Sequence, residues 1–236
     1  MAFREGSVDE QVIKDTLEAD IFFKGVPEYS PKEDDVVIDV GAHIGAFSVQ
    51  AARRIFRSKI YAIEPSDESY ELLLKNIAFN ECENVFPFKI GLSDQTGQVR
   101  LFHDVENGNW GHSIVKEFSD EYEEIDCDTL GNFLATNGIQ KCNFIKFNCE
   151  GAEFKVILST PIEVMRKIET MLILYHSDLE TKYSLNELIS HLKAAEFLIS
   201  KRFQFGDRGW IVAHRSITRH CYLKVKHWIK NTLKIN

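Results

Sequence analysis

The 236-residue chain contains no uncharged apolar run near the roughly 18 residues that a membrane-spanning helix needs. Its first residues, MAFREGSVDEQ, lack the apolar stretch that follows the charged start of a signal peptide. Its five cysteines are odd in number and form no Cys-x-x-Cys pair, which favours free thiols in a reducing compartment over a disulfide framework. These absences together predict a cytoplasmic protein.

The sequence also lacks internal repeats and low-complexity segments. Its hydrophobic content of 44% is enough for a sizeable core, and its length suits one large domain with short appendages. We therefore expect an N-terminal helix and lead-in over residues 1–35, a main domain over 36–214 and a tail over 215–236.

Charge is unevenly distributed along the chain. The formal net charge is −8, with 28 basic against 36 acidic residues, which argues against a nucleic-acid duplex as the main partner. Residues 215–236 nevertheless contain six basic residues and no acidic one. Apolar residues recur there at helical spacing and include Trp228, so the tail has two interpretations. It is a peripheral contact with an anionic membrane surface, or a terminal helix packed on the acidic body.

Strand and helix patterns alternate from residue 36 onward, after a helical pattern at 9–20. The first strand pattern, at 36–42, is a nearly continuous apolar run. Such a run is typical of a strand that is buried on both faces, as in a parallel sheet covered by helices. The third strand contains Pro87, which predicts an edge position because proline cannot donate to a neighbouring strand. The alternation predicts right-handed β-α-β crossovers. The predicted elements are strands at 36–42, 59–65 and 84–92 and helices at 43–57 and 66–80.

The middle of the chain breaks this alternation. Three short patterns at 98–104, 112–118 and 122–130 predict antiparallel strands inserted between the third and fourth core strands. The core then resumes with strands at 144–153 and 170–176, a helix at 185–197 and a closing antiparallel hairpin at 197–205 and 209–215.

The strongest chemical signal is the Asp39-Val40-Gly41-Ala42-His43-Ile44-Gly45 turn that ends the first strand. Small residues there let the backbone come close to a ligand. Glu64 ends the second strand, where a carboxylate can accept hydrogen bonds from both ribose hydroxyls of an adenosine cofactor. A dinucleotide normally requires a Gly-x-Gly-x-x-Gly turn for its pyrophosphate, and the middle glycine is missing here. The turn therefore favours S-adenosylmethionine over a nicotinamide cofactor, and a domain without a cofactor is the remaining alternative.

Four sequence signals in order give a family resemblance. VVIDVGAHIG, YAIEPSDESYELLLKNIAFN, GLSDQTG and FIKFNCEGAEFKVI resemble the motifs of the FkbM-type S-adenosylmethionine-dependent methyltransferases, over about residues 35–214. The resemblance implies methyl transfer to an oxygen, less often a nitrogen, of a small molecule such as a sugar. It also implies a Rossmann-like class I methyltransferase fold of the α/β class. We expect a seven-stranded, mostly parallel sheet with a small β insert between strands three and four.

The resemblance also implies roles for individual residues. The turn residues would surround the methionine part of the cofactor, Glu64 would hold the ribose, and Ser93 and Asp94 would border the adenine. Glu150 would face the substrate or the methionine amino group. The implied cofactor-binding residues are Asp39, Gly41, Ala42, His43, Gly45, Glu64, Ser93, Asp94 and Asn148.

Two positions depart from the family pattern. His43 replaces the usual asparagine, and Asn148 replaces the usual aspartate of the fourth strand. An amide can hydrogen bond but cannot act as a base at physiological pH. If the aspartate matters for proton removal or cofactor placement, Asn148 alters or abolishes activity, and the chain is then a degenerate cofactor-binding member.

Methyl transfer to a hydroxyl requires a base, and three residues are candidates. His176 ends the fifth strand, His112 lies in the insert, and Glu150 follows the fourth strand. The alternative for each histidine is a structural role. The alternative for Glu150, and for its neighbour Glu153, is a solvated charge at the start of a helix. A hard cation can be coordinated by side chains of the types found at His176, Asp178 and Glu150. No close cluster of them in the sequence favours a metal, so we expect no metal site.

The sequence therefore predicts a methyltransferase that uses S-adenosylmethionine and methylates a hydroxyl of a small saccharide or glycoconjugate precursor. The alternatives are an N-methyltransferase acting on an amino sugar or peptide amine, and the degenerate member. A base-flipping nucleic-acid enzyme is disfavoured, because Asn148-Cys149-Glu150-Gly151 stands where an Asn/Asp-Pro-Pro-Tyr motif would grip a base.

Overall fold

The computed structural model describes residues 1–104, 111–117, 119–180 and 182–215. Its strands fall into a seven-stranded sheet of order β3-β2-β1-β7-β8-β10-β9 and a three-stranded sheet of order β4-β6-β5. The strands are β1 (Val36–Val40), β2 (Lys59–Ile63), β3 (Val85–Phe88), β4 (Gly91–Leu92), β5 (Gly97–Phe102), β6 (Tyr122–Asp128), β7 (Phe144–Phe147), β8 (Thr170–His176), β9 (Leu198–Phe205) and β10 (Arg208–His214).

Helices cover the seven-stranded sheet and connect its parallel strands. A π-helical turn, Lys14–Glu18, continues directly from the first of them. The α-helices are α1 (Asp9–Ile13), α2 (Ile21–Gly25), α3 (Ala46–Arg54), α4 (Asp67–Phe79), α5 (Leu130–Thr136), α6 (Ala152–Ser159), α7 (Ile162–Met165) and α8 (Leu185–Ala194).

The large sheet is mostly parallel, as predicted. β3, β2, β1, β7 and β8 run parallel to one another, whereas β10 is antiparallel to both β8 and β9. Its central strands are buried on both faces, which explains why their sequences are almost continuously apolar. The chain leaves β1 first towards β2 and later returns to its other side as β7. The carboxyl ends of β1 and β7 therefore form the topological switch point where such sheets bind ligands.

The edge position predicted for the third strand is confirmed. β3 pairs with β2 and lies at the end of the sheet, so Pro87 interrupts no second ladder in the part of the chain that is described. The predicted strand at 84–92 is nevertheless split in two. Its last residues form β4, which leaves the large sheet and pairs in parallel with β6.

The insert lies where the sequence predicts but differs in detail. The expected strand at 112–118 is wrong for the residues that are described, since Ser113 makes only an isolated bridge to Phe102. Gly111 and His112 instead enter the wall of the cleft described below. The expected strand at 122–130 ends at Asp128, because Thr129 caps helix α5 by accepting a hydrogen bond from the Asn132 backbone.

Other predicted boundaries also extend too far. The fourth core strand stops at Phe147 rather than at 153, and Gly151, at a φ of +96°, leads into α6. Helix α2 occupies part of the predicted irregular lead-in because Phe22 and Phe23 pack into the core against Phe47. The tail from residue 216 onward lies outside the described residues. Within the described residues, no helix is both long enough and apolar enough to cross a membrane.

A buried ion pair ties β1 to β7 beside the switch point. Asp39 and Lys146 face each other across the two strands, and Lys146 Nζ lies 2.8 Å from Asp39 Oδ1. The second carboxylate oxygen, Oδ2, accepts a hydrogen bond from Ser48 Oγ at 2.8 Å. Because both charged residues are almost completely buried, each depends on the other for compensation.

We expect Lys146→Met to lower the free energy of unfolding by about 3–5 kcal/mol, because it leaves the Asp39 carboxylate buried without its cation. The double variant Lys146→Met/Asp39→Asn should recover part of that loss. Urea unfolding followed by circular dichroism measures both. Glu10→Gln is the control, since Glu10 pairs with Lys14 on the surface and should leave the free energy of unfolding nearly unchanged. Equal stability of Lys146→Met and the unsubstituted chain would contradict this role of the pair.

Candidate active site

A cleft of about 560 Å³ opens at the carboxyl ends of β1 and β7. Eight of the residues predicted for the site line it together, although they come from separate parts of the sequence. They are Gly41, Ala42, His43, Glu64, His112, Asn148, Glu150 and His176. The cleft therefore combines the predicted cofactor turn with all three candidate bases.

The turn after β1 requires glycine at position 41. Gly41 has a φ of +74°, and a Cβ there would lie 1.9 Å from the carbonyl oxygen of Asn148. Two backbone segments meet at this point, from the ends of β1 and β7. A side chain on Gly41 would push them apart and widen the switch point on which the cleft is built.

His43 follows in a left-handed conformation, with a φ of +55°. A non-glycine residue held there costs on the order of 1–3 kcal/mol and persists only where its surroundings fix it. The backbone N–H of His43 donates to Oε2 of Glu64 at 2.7 Å. On the other side, its ring Nε2 lies 2.6 Å from Nη2 of Arg4 and 3.1 Å from Oδ1 of Asp9.

Glu64 is a buried carboxylate at the wall of the cleft. Its Oε1 accepts from the Ser66 backbone N–H at 3.1 Å, and its Oε2 accepts from His43. Burial raises the pKa of Glu64, and these hydrogen bonds and the charge of His43 oppose the shift. A carboxylate offers about four acceptor positions, so two stay available for hydroxyl groups of a ligand in the cleft.

The structure places four other predicted cofactor residues outside the wall of the cleft: Asp39, Gly45, Ser93 and Asp94. Both carboxylate oxygens of Asp39 are used by Lys146 and Ser48. Ser93 donates to the side chain of Asp94, while the wall at this end reaches Gly91 and Leu92. Asp39 thus stabilises the turn through Lys146 and Ser48, outside the wall of the cleft. Direct contact of these four residues with a cofactor stays a prediction.

His176 lies between two glutamates at the opposite end of the cleft. Its Nδ1 is 3.2 Å from Oε1 of Glu153, and its Nε2 is 3.5 Å from Oε2 of Glu150. Burial by itself would lower the pKa of His176, but the charges of Glu153 and Glu150 and the hydrogen bond to Glu153 raise it to about 9. The ring is therefore protonated at neutral pH.

Glu153 holds this arrangement together. Its two carboxylate oxygens accept the backbone N–H groups of Cys149 and Gly151 at 2.7 and 2.9 Å, and the side chain is fully buried. It orients the imidazole from the side opposite to Glu150. The sequence spacing of three residues between Glu150 and Glu153 does not reveal that their carboxylates lie on opposite sides of one histidine. That depends on the left-handed turn at Glu150 and Gly151, with φ values of +49° and +96°.

Glu150 faces the cleft and is held by the insert. Ser113 Oγ donates to its backbone carbonyl at 2.7 Å, and a Cβ on Gly111 would lie 2.4 Å from its carboxyl carbon. Burial raises the pKa of Glu150, and the charge of His176 opposes the shift. The insert thereby packs closely against the Glu150 carboxyl, which lies beside His176.

His112 lines the same cleft but differs in its charge state. Burial, together with the nearby charges of His103, Arg4 and His43, lowers the pKa of His112 to about 4. Its Nδ1 has no hydrogen-bond partner among the described residues. His112 is therefore a neutral ring at physiological pH, unlike His176.

The possible metal ligands do not come together. Asp178 forms a bidentate pair with Arg208, with Nη2 to Oδ2 at 2.8 Å, and does not join His176 and Glu150. In the described part of the chain, no group of three or more histidine, cysteine, aspartate or glutamate side chains is arranged to hold a metal ion. Arg208 itself lines the cleft, although no motif in the sequence marks it as a site residue.

Aromatic residues surround the outer part of the cleft. Trp210 lines it but stacks on Phe22, with ring centroids 5.6 Å apart, so one face of the indole is used for packing. Phe203 and Phe205, two residues apart on β9, also line the cleft and are 58% and 79% exposed. Exposed rings at the edge of a cleft offer flat apolar surfaces to a ligand.

The cleft fits S-adenosylmethionine in size and chemistry. Pockets for small ligands measure roughly 300–1,000 Å³, and this volume lies within that range. The glycine turn lets the backbone come close to a ligand, and the Glu64 carboxylate has acceptor positions of the kind that suit ribose hydroxyls. The turn lacks the middle glycine that would complete the anion site required by a pyrophosphate.

Comparisons with known proteins agree with this geometry. Residues 39–199 match the family described as the methyltransferase FkbM domain. The hexuronic acid methyltransferase AglP of Haloferax volcanii is 25% identical over 162 residues, which cover 69% of this chain and 64% of that protein. Methyltransferase 1 of Beauveria bassiana is 24% identical over 161 residues, covering 60% of this chain and 65% of that protein. The chain thus spans less than two thirds of the length of these relatives.

A solved structure shares the fold. Precorrin-6y C5,15-methyltransferase from Geobacter metallireducens superposes with a TM-score of 0.50 at 12% identity, covering 84% of this chain and 88% of that one. At this identity the similarity concerns the fold alone. The family match covers more than half of the sequence. The chain therefore belongs to the FkbM family of S-adenosylmethionine-dependent methyltransferases, as its sequence motifs predicted.

Proposed function

We propose that this protein transfers the methyl group of S-adenosylmethionine to a hydroxyl of a small saccharide acceptor. The observation that carries the proposal is the shared cleft. It joins Glu64 and the glycine turn, which suit the cofactor, to the Glu150–His176–Glu153 array, which suits a proton acceptor. When bound, the cofactor supplies a methyl group on a sulfonium, which becomes a neutral thioether once a nucleophile has taken the methyl.

The residues of the cleft divide into two groups by function. Gly41, His43 and Glu64 would hold the nucleoside and methionine parts of the cofactor, with Asn148 contributing an amide at the end of β7. At the other end, the acceptor hydroxyl must lose its proton as the new C–O bond forms. Positioning of the acceptor and general base catalysis are the two contributions that the protein can make to such a step.

His176 is the proton acceptor that the geometry favours, after it has lost its own proton. Glu153 fixes the ring through Nδ1, so Nε2 is the atom that faces Glu150 and the cleft. A neutral His176 would accept the hydroxyl proton at Nε2, and the Glu150 carboxylate would stabilise the imidazolium that results. Asn148, which replaces the family's aspartate, is then not needed as a base.

The acceptor end of the cleft favours a sugar, and an acidic sugar in particular. Phe203 and Phe205 provide apolar ring surfaces, and Arg208, held by Asp178, provides a guanidinium of the kind that binds carboxylates. The relative AglP is named for methylation of a hexuronic acid, a sugar that carries a carboxylate. These two observations support a hexuronic acid ahead of a neutral hexose.

The pH dependence of the rate identifies the base. If neutral His176 accepts the proton, the rate at saturating substrates rises with pH through a midpoint near 9, since only the deprotonated ring is active. Glu153→Gln should shift that midpoint to lower pH, because the charge of Glu153 is the main cause that raises the pKa of His176. The initial rate measured between pH 5 and 10 tests both expectations.

Glu71→Gln is the matched control for this shift, since Glu71 is exposed on α4 and its ion-pair contact, at 3.9 Å, is with Lys75. It should leave the midpoint unchanged. A profile that is already flat above pH 6 would instead favour His112, whose pKa is about 4, and would contradict the role of His176. Loss of activity in His112→Asn, with normal activity in His176→Asn, would do the same.

The acceptor class is tested by incubating the protein with methyl-labelled S-adenosylmethionine and four acceptors: a hexuronic acid glycoside, the matching neutral hexoside, an amino sugar and a peptide amine. We expect label on a hydroxyl of the hexuronic acid glycoside, located by fragmentation in mass spectrometry, with the neutral hexoside labelled more slowly. Label on a nitrogen would replace this proposal by N-methylation. Binding of S-adenosylhomocysteine without transfer to any of the four acceptors would point to a degenerate member instead.

A further inference from the structure

The N-terminal segment, residues 1–26, lies before the part of the chain that matches the family, yet it forms one wall of the cleft. The match begins at residue 39. The wall is built from α1 and the residue before it, from the π-helical turn and from the start of α2. Its contributing residues are Val8, Val12, Asp15, Thr16, Ile21 and Phe22. A ligand in the cleft is therefore enclosed by a segment that is not part of the matched domain.

Specific polar contacts attach this segment to the helices beside the glycine turn. The fully buried side chain of Asn76 on α4 exchanges two hydrogen bonds with the backbone of Ala2, and it also donates to the carbonyl of Ile44 within the turn. Gln50 on α3 donates to the backbone carbonyl of Thr16 and to the side chain of Asp20. The segment is thus attached to both α3 and α4, the two helices next to the turn.

A compact ion cluster lies at the contact between the segment and the turn. Asp9 is completely buried and accepts from Nη2 and Nε of Arg4 at 2.8 and 3.0 Å and from the Arg4 backbone N–H at 2.9 Å. Arg4 also contacts Glu68 and Ser69 at the start of α4. The ring of His43 rests on this cluster, with Nε2 2.6 Å from Arg4 and 3.1 Å from Asp9.

We infer that Arg4 and Asp9 are positioning residues of the cofactor site and act through His43. Their contact fixes the imidazole. The same residue's backbone N–H donates to Oε2 of Glu64 at 2.7 Å, so the cluster sets the direction of the carboxylate proposed to hold the ribose. The left-handed φ of +55° at His43 needs such support from its surroundings. This inference rests on the proposed function, because it concerns the same cofactor site.

The Arg4–Asp9 cluster also explains a departure from the family motif. Histidine stands at position 43, where the motif has asparagine. The imidazole is longer than an asparagine side chain, and in this chain it reaches the Arg4–Asp9 pair. The residue change at 43 and the ion cluster in the N-terminal segment therefore belong together. A substitution in one should lose its effect on cofactor binding when the other is already changed.

A double-mutant cycle on the full chain tests this coupling. Calorimetric titration with S-adenosylhomocysteine gives the Kd of the unsubstituted protein, Asp9→Asn, His43→Asn and the double variant. We expect Asp9→Asn to weaken binding about tenfold when His43 is present and less than about twofold in the His43→Asn background. Glu10→Gln is the control and should leave the Kd unchanged, since Glu10 is next to Asp9 but exposed and paired with Lys14 on the surface.

The outcomes separate this inference from the proposed function. If the unsubstituted protein does not bind S-adenosylhomocysteine, the proposed function fails and the inference fails with it. If that protein binds but Asp9→Asn has the same Kd, the positioning role is refuted while the proposed function stands. An equal loss of affinity from Asp9→Asn in both backgrounds would show a general structural effect and would also refute the role of His43.

A second readout applies even if Asp9→Asn does not fold. The N-terminal segment contains Lys14 on its exposed side, where trypsin can cleave. Because the segment encloses the cleft, S-adenosylhomocysteine should slow cleavage after Lys14 in the unsubstituted protein several-fold. Cleavage after Lys141, an exposed lysine that does not line the cleft, provides the reference rate. An unchanged rate after Lys14 at saturating ligand would contradict the enclosure of the ligand by this segment, and with it the coupling of Arg4 and Asp9 to the cofactor site.

Discussion

The close approach of Gly41 to the carbonyl oxygen of Asn148 is the constraint on which the site depends. No side chain fits between them, since a Cβ would lie 1.9 Å from that oxygen. The Asp39–Lys146 pair holds the same two strands together from behind, and Lys146 Nζ also donates to the carbonyl of Gly41 at 3.2 Å. The cleft at the switch point exists because β1 and β7 end side by side, and the chain then continues to β2 on one side and to β8 on the other.

Around this constraint, three regions of the chain contribute to one cleft. The first half of the sheet provides the turn and Glu64, which suit a nucleoside. The second half provides His176 with a glutamate on each side, an arrangement that controls the charge of the ring. The insert presses on Glu150 through Gly111 and Ser113, and the N-terminal segment closes the remaining side. The cofactor end and the acceptor end thus depend on different sequence regions.

The sequence predicted the parts of this arrangement that depend on local pattern. Apolar strands, the glycine turn and Glu64 follow from residue type and spacing, and they indicated the family and the sheet. Pro87 indicated that the third strand lies at the edge of the sheet. Contacts between distant segments carry no such local signal. The pairing of Asp39 with Lys146, the two sides on which Glu150 and Glu153 meet His176, and the contact of Arg4 and Asp9 with His43 all appear only in three dimensions. Direct cofactor contacts of Ser93 and Asp94 remain predictions for the same reason.

We expect the cleft between β1 and β7 to bind the cofactor with its ribose on Glu64. A crystal structure of the full chain with S-adenosylhomocysteine tests it most directly. We expect both ribose hydroxyls within hydrogen-bond distance of the Glu64 carboxylate, the homocysteine part beside Gly41, and the sulfur on the side of the cleft that faces His176. A ligand bound elsewhere, or one whose ribose lies away from Glu64, would contradict it.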